Sequence, residues 1–389
     1  MSELVLMANI GAEEHAGAPP LARARPAVRH LARLWQSVMP VESRFLSENT
    51  EGLTASHPDL GAWPWLPQSP GLLPWLSTPG ARKRASDLNL PLLSPRPDVT
   101  DVVHDKGFAL ARALEHGHTP ECLRKVIHTL ESTTSPDDAE RTIRNVLESW
   151  PEWARANFTI KPRRGTSGRG RIAGYDGHIT PEMARGLHNL NRQGGAIIEP
   201  WLTRKRDLSV QLYVSPEGSV EVLATTTQLL SKSGVYHGNL GSFEEGELRS
   251  ATEYDTQLIE AGRALARAAA SQGFFGPCGI DAFVFEHPSD GSPTLRPVVE
   301  FNARYTTATA GLAHLKGRFA QHQLPAHGGW LFVLNASDEL VELARSTPQT
   351  HMHPWYSPNE GLCALLVWAE GIDPIEDLAH RAKLLGDSA

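Results

Sequence analysis

Two short runs near residue 290 constrain this chain more than any other part of it. Gly279-Ile280-Asp281-Ala282-Phe283-Val284-Phe285 and Pro297-Val298-Val299-Glu300-Phe301-Asn302-Ala303-Arg304 both read as strands. Glu286 to Thr294 between them carries Pro, Ser, Asp and Gly, the usual turn formers. An antiparallel hairpin is therefore expected. Side chains alternate faces along a strand, so Glu300, Asn302 and Arg304 share one face and Val299, Phe301 and Ala303 the other. Asp281 falls within about a residue of being opposite Glu300. Two carboxylates, a carboxamide oxygen and a guanidinium then converge beside an apolar sheet. Hard oxygen donors of this kind suit Mg2+, which is held by one or two carboxylates together with substrate phosphates. The competing reading is a solvated polar face on an amphipathic hairpin, and the remainder of the chain has to decide between them.

A chain of 389 residues is long enough for two or three domains with sizeable cores. Its net charge of −7 argues against nucleic-acid binding by bulk electrostatics. Cys122, Cys278 and Cys363 are odd in number and far apart, so they form neither a disulfide framework nor a CxxC metal pattern. A reducing, cytoplasmic setting is the expectation. Met1-Ser2-Glu3-Leu4 lacks a basic leader region. No apolar run approaches the roughly 20 residues that span a bilayer.

Residues 1–100 hold 13 of the 29 prolines and are the least regular part. Leu4 to Ile10 reads as a strand and Ala27 to Val38 as a helix. The tryptophans around Trp63-Pro64-Trp65 and Leu73-Pro74-Trp75 suggest an irregular layer packed on a core. Asp105 is a plausible N-cap for a helix running toward His116. Ser135-Pro136 and Thr180-Pro181 open further helices. Between these two helices, Phe158-Thr159-Ile160-Lys161-Pro162 delivers a lysine into the loop Arg163-Arg164-Gly165-Thr166-Ser167-Gly168-Arg169-Gly170. Such a loop brings backbone N–H groups, hydroxyls and positive charge to a polyphosphate. It is neither a Walker A loop nor a GxGxxG fingerprint, and a basic surface loop is the alternative. Strands are expected at Gly195–Leu202, Asp207–Tyr213 and Val220–Thr226, then a polar stretch from Ser231 to Gly241. A long amphipathic helix follows, Thr252 to Ser271. Beyond the hairpin come a small-residue helix (Thr306 to Ala320), strands at Trp330–Leu334 and Leu362–Trp368, and a terminal helix with a capping box at Asp373-Pro374-Ile375-Glu376. His351-Met352-His353 lacks further obvious metal ligands.

The order of these features resembles the ATP-grasp superfamily, and within it the carboxylate–amine (peptide-type) ligases, over roughly Val102 to Tyr305. The resemblance implies an α/β (α+β) ATP-grasp fold, with nucleotide held between two α+β subdomains after an N-terminal α/β domain. The implied boundaries are 1–100, 101–195, 196–325 and a C-terminal extension, 326–389. By position, Lys106 and Lys161 match the family's two phosphate lysines, and Arg163 to Gly170, with Thr166, Ser167 and Gly168, its flap. Glu199-Pro200-Trp201-Leu202 matches the hinge that meets adenine, where the Pro200 carbonyl accepts and the Leu202 N–H donates. Proline removes a donor but not an acceptor, so it is tolerated there. Glu199 is expected to reach the adenine amino group or a phosphate lysine, and Asp207 the ribose. Asp281, Glu300 and Asn302 match the Mg2+ ligands, and Arg304, with Lys161, the catalytic groups. The chain departs from the D-alanine ligase branch, which has an arginine at the position of Gly279. That role would fall to Arg304, Arg204 or Arg206.

The resemblance further implies ATP and Mg2+ as cofactors, with Mn2+ as a substitute. The expected reaction passes a phosphoryl group to a carboxylate, and an amine then attacks the acyl-phosphate, giving an amide, ADP and phosphate. The expected partners are a small carboxylate, such as an amino acid or peptide, and an amine, with neither nucleic acid nor membrane, in a protein that forms a homodimer as such ligases commonly do. The alternatives are an ATP-grasp small-molecule kinase, a biotin-carboxylase-like activity on bicarbonate, for which the chain is short, and a non-catalytic ATP-binding module.

Overall fold

The hairpin at the centre of the sequence argument is a long antiparallel pair, Gly276–Glu286 and Pro293–Asn302, at one edge of a nine-stranded sheet. The structure is a computed structural model and describes residues 4–12, 26–39, 43–46, 69–165, 170–231, 234–321, 323–357 and 361–385. From the hairpin the sheet continues through Arg204–Val214, Val220–Leu230, Tyr236–Glu244, His327–Leu334 and Gly361–Ala369 to Thr350–Ser357. The short Glu247–Arg249 strand pairs with Tyr236–Glu244. All these pairings are antiparallel. Gly361–Ala369 is buried on both faces over most of its length, because helices cover it from both sides. The helix Thr307–Ala320 packs on one face, and Asp338–Ser346 with Asp373–Arg381 on the other.

A second, four-stranded antiparallel sheet has the order His128–Leu130, Ala196–Pro200, Phe158–Pro162, Ile172–Gly174. Its core includes Ile143 and Leu147 of Pro136–Ser149 and Leu187 of Pro181–Asn189. Ser135 and Thr180 cap these two helices through their side chains, each followed by a proline in the first turn, where the missing N–H costs nothing. The same core contains Phe283 and Phe285 of the hairpin, so the two sheets meet at the hairpin itself. On the hairpin's other side the helix Asp255–Ser271 buries Leu258, Ala261, Leu265 and Ala269 against Val210 and Ile280. Each of its two fully buried leucines contributes roughly 1.5–3 kcal/mol of transfer free energy.

The N-terminal layer is a three-stranded parallel sheet, Arg44–Phe45, Leu4–Met7 and Gly71–Pro74, with the helix Pro26–Ser37. The first strand is shorter than the Leu4–Ile10 expected. Trp75 is buried and sits 5.5 Å from Trp35 and 5.8 Å from Tyr305, ring centre to ring centre. This aromatic cluster fastens the layer to the residue that follows Arg304. Trp63 and Trp65 lie outside the described residues.

Two local expectations need correction. The terminal helix has no capping box: Asp373 is its first residue, and Ile372, at the cap, makes no side-chain hydrogen bond. Asp373 and Glu376 instead sit in the first turn, where the helix dipole favours negative charge. The second concerns Ser231–Gly241, expected only as a polar stretch, whose latter part belongs to a central strand, Tyr236–Glu244. Its polarity is absorbed within the sheet, since Asn239 donates to Thr226 Oγ1 at 2.8 Å and Tyr236 donates to Asn239. His351 and His353 are taken up by aromatic packing, on Trp368 and Trp355 respectively.

Candidate active site

In the hairpin register Asp281 stands opposite Glu300 and Gly279 opposite Asn302, with a bulge between Asp281 and Phe283. Directly opposed residues of an antiparallel pair bring their side chains together on one face. Asp281 accepts from Gln228 Nε2 at 2.8 Å and from Asn302 Nδ2 at 3.2 Å. Glu300 Oε2 lies 3.0 Å from Lys106 Nζ. Burial and the neighbouring Glu300 carboxylate push the Asp281 carboxyl well up. Burial acts on Glu300 too, but the Lys106 ammonium and a hydrogen bond from Asp281 outweigh it and hold Glu300 down. The two carboxyls titrate as a coupled pair, Asp281 held up and Glu300 held down.

Lys106 is the first residue of the helix Lys106–Glu115, and Asp105 is its N-cap, accepting from Gly107 N at 2.7 Å. The same Asp105 carboxylate takes both prongs of a guanidinium, Arg163 Nε and Nη2, each at 2.9 Å. Bidentate pairs of this kind fix geometry as well as charge. The Lys106 ammonium donates to the carbonyl of Gly165 at 3.0 Å, and its backbone N–H to that of Arg163 at 3.1 Å. Lys106 thus spans from the base of the glycine-rich loop to the carboxylate pair. Thr166, Ser167 and Gly168 of that loop lie outside the described residues.

Lys161 and Glu199 sit on neighbouring strands of the four-stranded sheet, in the pairing Thr159↔Glu199 and Lys161↔Ile197. As a diagonal pair on one face they form an ion pair of 2.5 Å. Lys161 is one of the two partners expected for Glu199. The other Glu199 oxygen is held at 2.9 Å by Arg296 Nη1, from the hairpin of the large sheet. Burial raises the Glu199 carboxyl, but the Arg296 and Lys161 charges overcome it and bring it down to about 2. Arg296 is 4% exposed and is absent from the sequence argument. A lone arginine in the hydrophobic run Leu295 to Val299 was the available signal.

The hinge continues with Pro200, which ends its strand opposite Phe158. The Trp201 N–H is taken by the Asn157 carbonyl at 2.8 Å, and its ring lies 4.5 Å beneath the Arg171 guanidinium. Leu202 packs partly against the core of the smaller sheet. Asp207 accepts from Arg204 at 2.6 Å, and Arg204 lies 4.3 Å over the Phe283 ring. Asp207 therefore has a cationic partner already.

The Ala303 N–H donates to His104 Nδ1 at 3.2 Å, the Arg304 N–H to the Asn302 carbonyl at 2.9 Å, and Arg304 Nη1 to the Tyr305 carbonyl at 2.9 Å. Gly279 has no room for the arginine of the D-alanine ligase branch. A Cβ there would lie 2.9 Å from both Gln211 Oε1 and Thr306 Cγ2. That space belongs to a buried polar ladder in which Thr306 donates to Gln211 at 2.6 Å, Gln211 to Ser209 at 3.1 Å, and Ser209 meets Thr226 at 2.8 Å.

Chemically, the donors on this face are hard oxygens from two carboxylates and a carboxamide, flanked by two lysines. Among the described residues no group of three or more His, Cys, Asp or Glu is placed to hold a metal. The fit to Mg2+ rests instead on two carboxylates and Asn302. Two opposed carboxylates with Asn302 beside them leave a mutual repulsion that a divalent cation would relieve, so the donor set fits. A separate open cleft of about 550 Å³ lies at the turn end of the hairpin, lined by His118, Cys122, Glu260 and His287, and touches none of these residues.

Comparison with known proteins matches residues 142–289 to the family of L-aspartate–L-methionine ligases of ATP-grasp type. A butirosin acyl-carrier protein–L-glutamate ligase from Niallia circulans is 32% identical over 151 residues, 39% of this chain. The chain spans only 33% of that relative's length. Among solved structures, biotin carboxylase from Campylobacter jejuni, in complex with a nucleotide, superposes with a TM-score of 0.55 at 14% identity, covering 100% of this chain and 91% of that one. N5-carboxyaminoimidazole synthase from Aspergillus clavatus, in complex with ADP, gives 0.54 at 14% identity, covering 98% and 99%. The nine-stranded and four-stranded sheets meeting at the hairpin are the ATP-grasp fold.

Proposed function

We propose that this ATP-grasp chain is an ATP- and Mg2+-dependent ligase that joins a carboxylate to an amine, releasing ADP and phosphate. The observation that carries the reading is the convergence of Asp281, Glu300 and Asn302 with Lys106 on one face, with Lys161 near enough for its charge to act on Glu300. Bound Mg-ATP would supply the phosphoryl group and the counter-charge for its transfer.

Asp281, Glu300 and Asn302 would hold the metal. Lys106 and Lys161 would meet the phosphates and offset charge as it moves to the leaving ADP. Lys106 already lies against the loop base at Gly165, which places it where a closing loop would act to exclude water. Arg304, anchored through Tyr305, would face the oxyanion when the amine attacks the acyl-phosphate. Pro200 and Leu202 would meet adenine. Asp207 would reach the ribose only by sharing or releasing Arg204.

The named relatives act on L-aspartate with L-methionine, and on L-glutamate with a carrier protein. An amino acid as one substrate is the reading they support, with a small molecule or a carrier-bound acyl group as the other. The Trp35, Trp75 and Tyr305 cluster, beside Arg304, would shape that pocket from the N-terminal layer. A cytoplasmic protein fits this chemistry, and among the described residues no helix is long and apolar enough to cross a membrane.

The test is a panel of amino acids and small acids, each with and without an amine, read as ADP and phosphate release with Mg2+. A kinase would release ADP without phosphate and need no amine. A silent module would bind ADP without turnover in any mixture.

A further inference from the structure

Arg296 joins Lys161 and Glu199 in a buried ion triad where the two sheets meet. The inference rests on the reading that the site binds a nucleotide. Lys161, Glu199 and Arg296 form a triad buried almost completely, with side-chain exposures of 14%, 5% and 5%. Each Glu199 oxygen has one cation, Lys161 Nζ at 2.5 Å and Arg296 Nη1 at 2.9 Å. Arg296 is itself fixed, since its Nε donates to the Val298 carbonyl at 3.2 Å and its guanidinium lies 5.5 Å from the Phe283 ring centre. It also reaches across from the large sheet to the small one, and so sets where the Glu199 carboxylate points.

The formal charges of the triad sum to one positive charge. A Lys161–Glu199 pair alone would sum to zero and would hold the ammonium in a closed ion pair. At a buried site a unit of charge is poorly screened, so this difference acts strongly on a nearby anion. We propose that Arg296 is a positioning residue for the nucleotide's phosphates: by sharing Glu199 it leaves Lys161 with net positive charge directed at them. Adenosine, which carries no phosphate, should be indifferent to Arg296.

The experiment measures binding of ADP and of adenosine to the full chain by calorimetry, for the parent and for R296M, R296K and the double variant E199Q/R296M. Thermal unfolding is recorded for each. R296M should weaken ADP by about tenfold or more while adenosine changes by less than about threefold, because only the phosphates sense the lost charge. R296K keeps the charge and should stay within about threefold of the parent for both ligands. E199Q/R296M removes one negative and one positive charge together, returns the site to net +1, and should recover most of the ADP affinity.

Equal ADP binding by the parent and R296M overturns the proposal. So does an equal loss of ADP and adenosine by folded R296M, which would make Arg296 a purely structural residue. Should R296M not fold, R296K and E199Q/R296M decide, and loss of ADP binding by either, when folded, overturns it. A parent that binds neither ADP nor ATP refutes the nucleotide reading itself and the inference with it, an outcome distinct from those above.

Discussion

Lys106 Nζ lies 3.0 Å from Glu300 Oε2 and 3.0 Å from the carbonyl of Gly165, so one ammonium joins the base of the glycine-rich loop to the carboxylate dyad. This contact ties three distant stretches of sequence into one site. The helix begins at residue 106 because Asp105 caps it, which is why the lysine emerges there and not a turn later.

Replacing Lys106 by methionine should lower the rate of phosphate release by about a hundredfold or more, the scale seen when one charge-stabilising donor is removed from an active site. Initial rates at saturating substrates test this. A K106M enzyme within a few fold of the parent would place the lysine outside the chemistry.

Asp105 carries two separable interactions. D105N keeps a side-chain oxygen for the cap at Gly107 N but loses the charge that pairs with Arg163, whereas D105A loses both. The cap alone is worth about 1 kcal/mol. Urea unfolding should therefore rank the chains parent, D105N, D105A in falling stability. D105A indistinguishable from D105N would deny the cap its contribution.

Glu199 predicts a pH dependence of stability. Its carboxyl is about 2 in the folded chain against an ordinary 4.5, so the folded state binds the proton less tightly than the unfolded one. The stabilisation is then fully present above pH 4.5 and is lost as the pH falls toward 2, with a ceiling of about 3 kcal/mol. In E199Q this component should vanish. The difference in unfolding free energy between parent and E199Q, followed from pH 6 to 3, should shrink as the pH drops. A constant difference would contradict the assignment.

Gly279 should tolerate no arginine. Gln211 and Thr306 stand 2.9 Å from where its Cβ would be, and the ladder behind them is buried. G279R should lose stability by about 1–3 kcal/mol through overpacking and should gain no turnover. A stable and more active G279R would show that the ladder yields and that the D-alanine ligase arrangement is available here.

Sequence reading recovered the hairpin because its apolar and polar residues alternate without interruption from Val299 to Arg304, and a one-residue slip would bury the carboxylates in the core. The caps at Asp105, Ser135 and Thr180 were legible for a similar reason, since each is a local rule met by adjacent residues. Arg296 was not legible, because its partner is almost a hundred positions away and only the meeting of two sheets brings them together. Tyr236–Glu244 was missed since its polar side chains bond to one another and to the neighbouring strand, Tyr236 to Asn239 and Asn239 to Thr226. In the N-terminal layer, strand Gly71–Pro74 is four residues long and enclosed by proline, which leaves no periodicity to read.

The central claim is a ligase in which Glu300 serves the metal. The most direct measurement is product analysis with Mg2+, ATP, a carboxylate and an amine, for the parent and E300Q. The account predicts equal amounts of ADP and phosphate, dependent on both substrates, and loss of both products by at least about a hundredfold in E300Q. Release of AMP and pyrophosphate, or full turnover by E300Q, would contradict it.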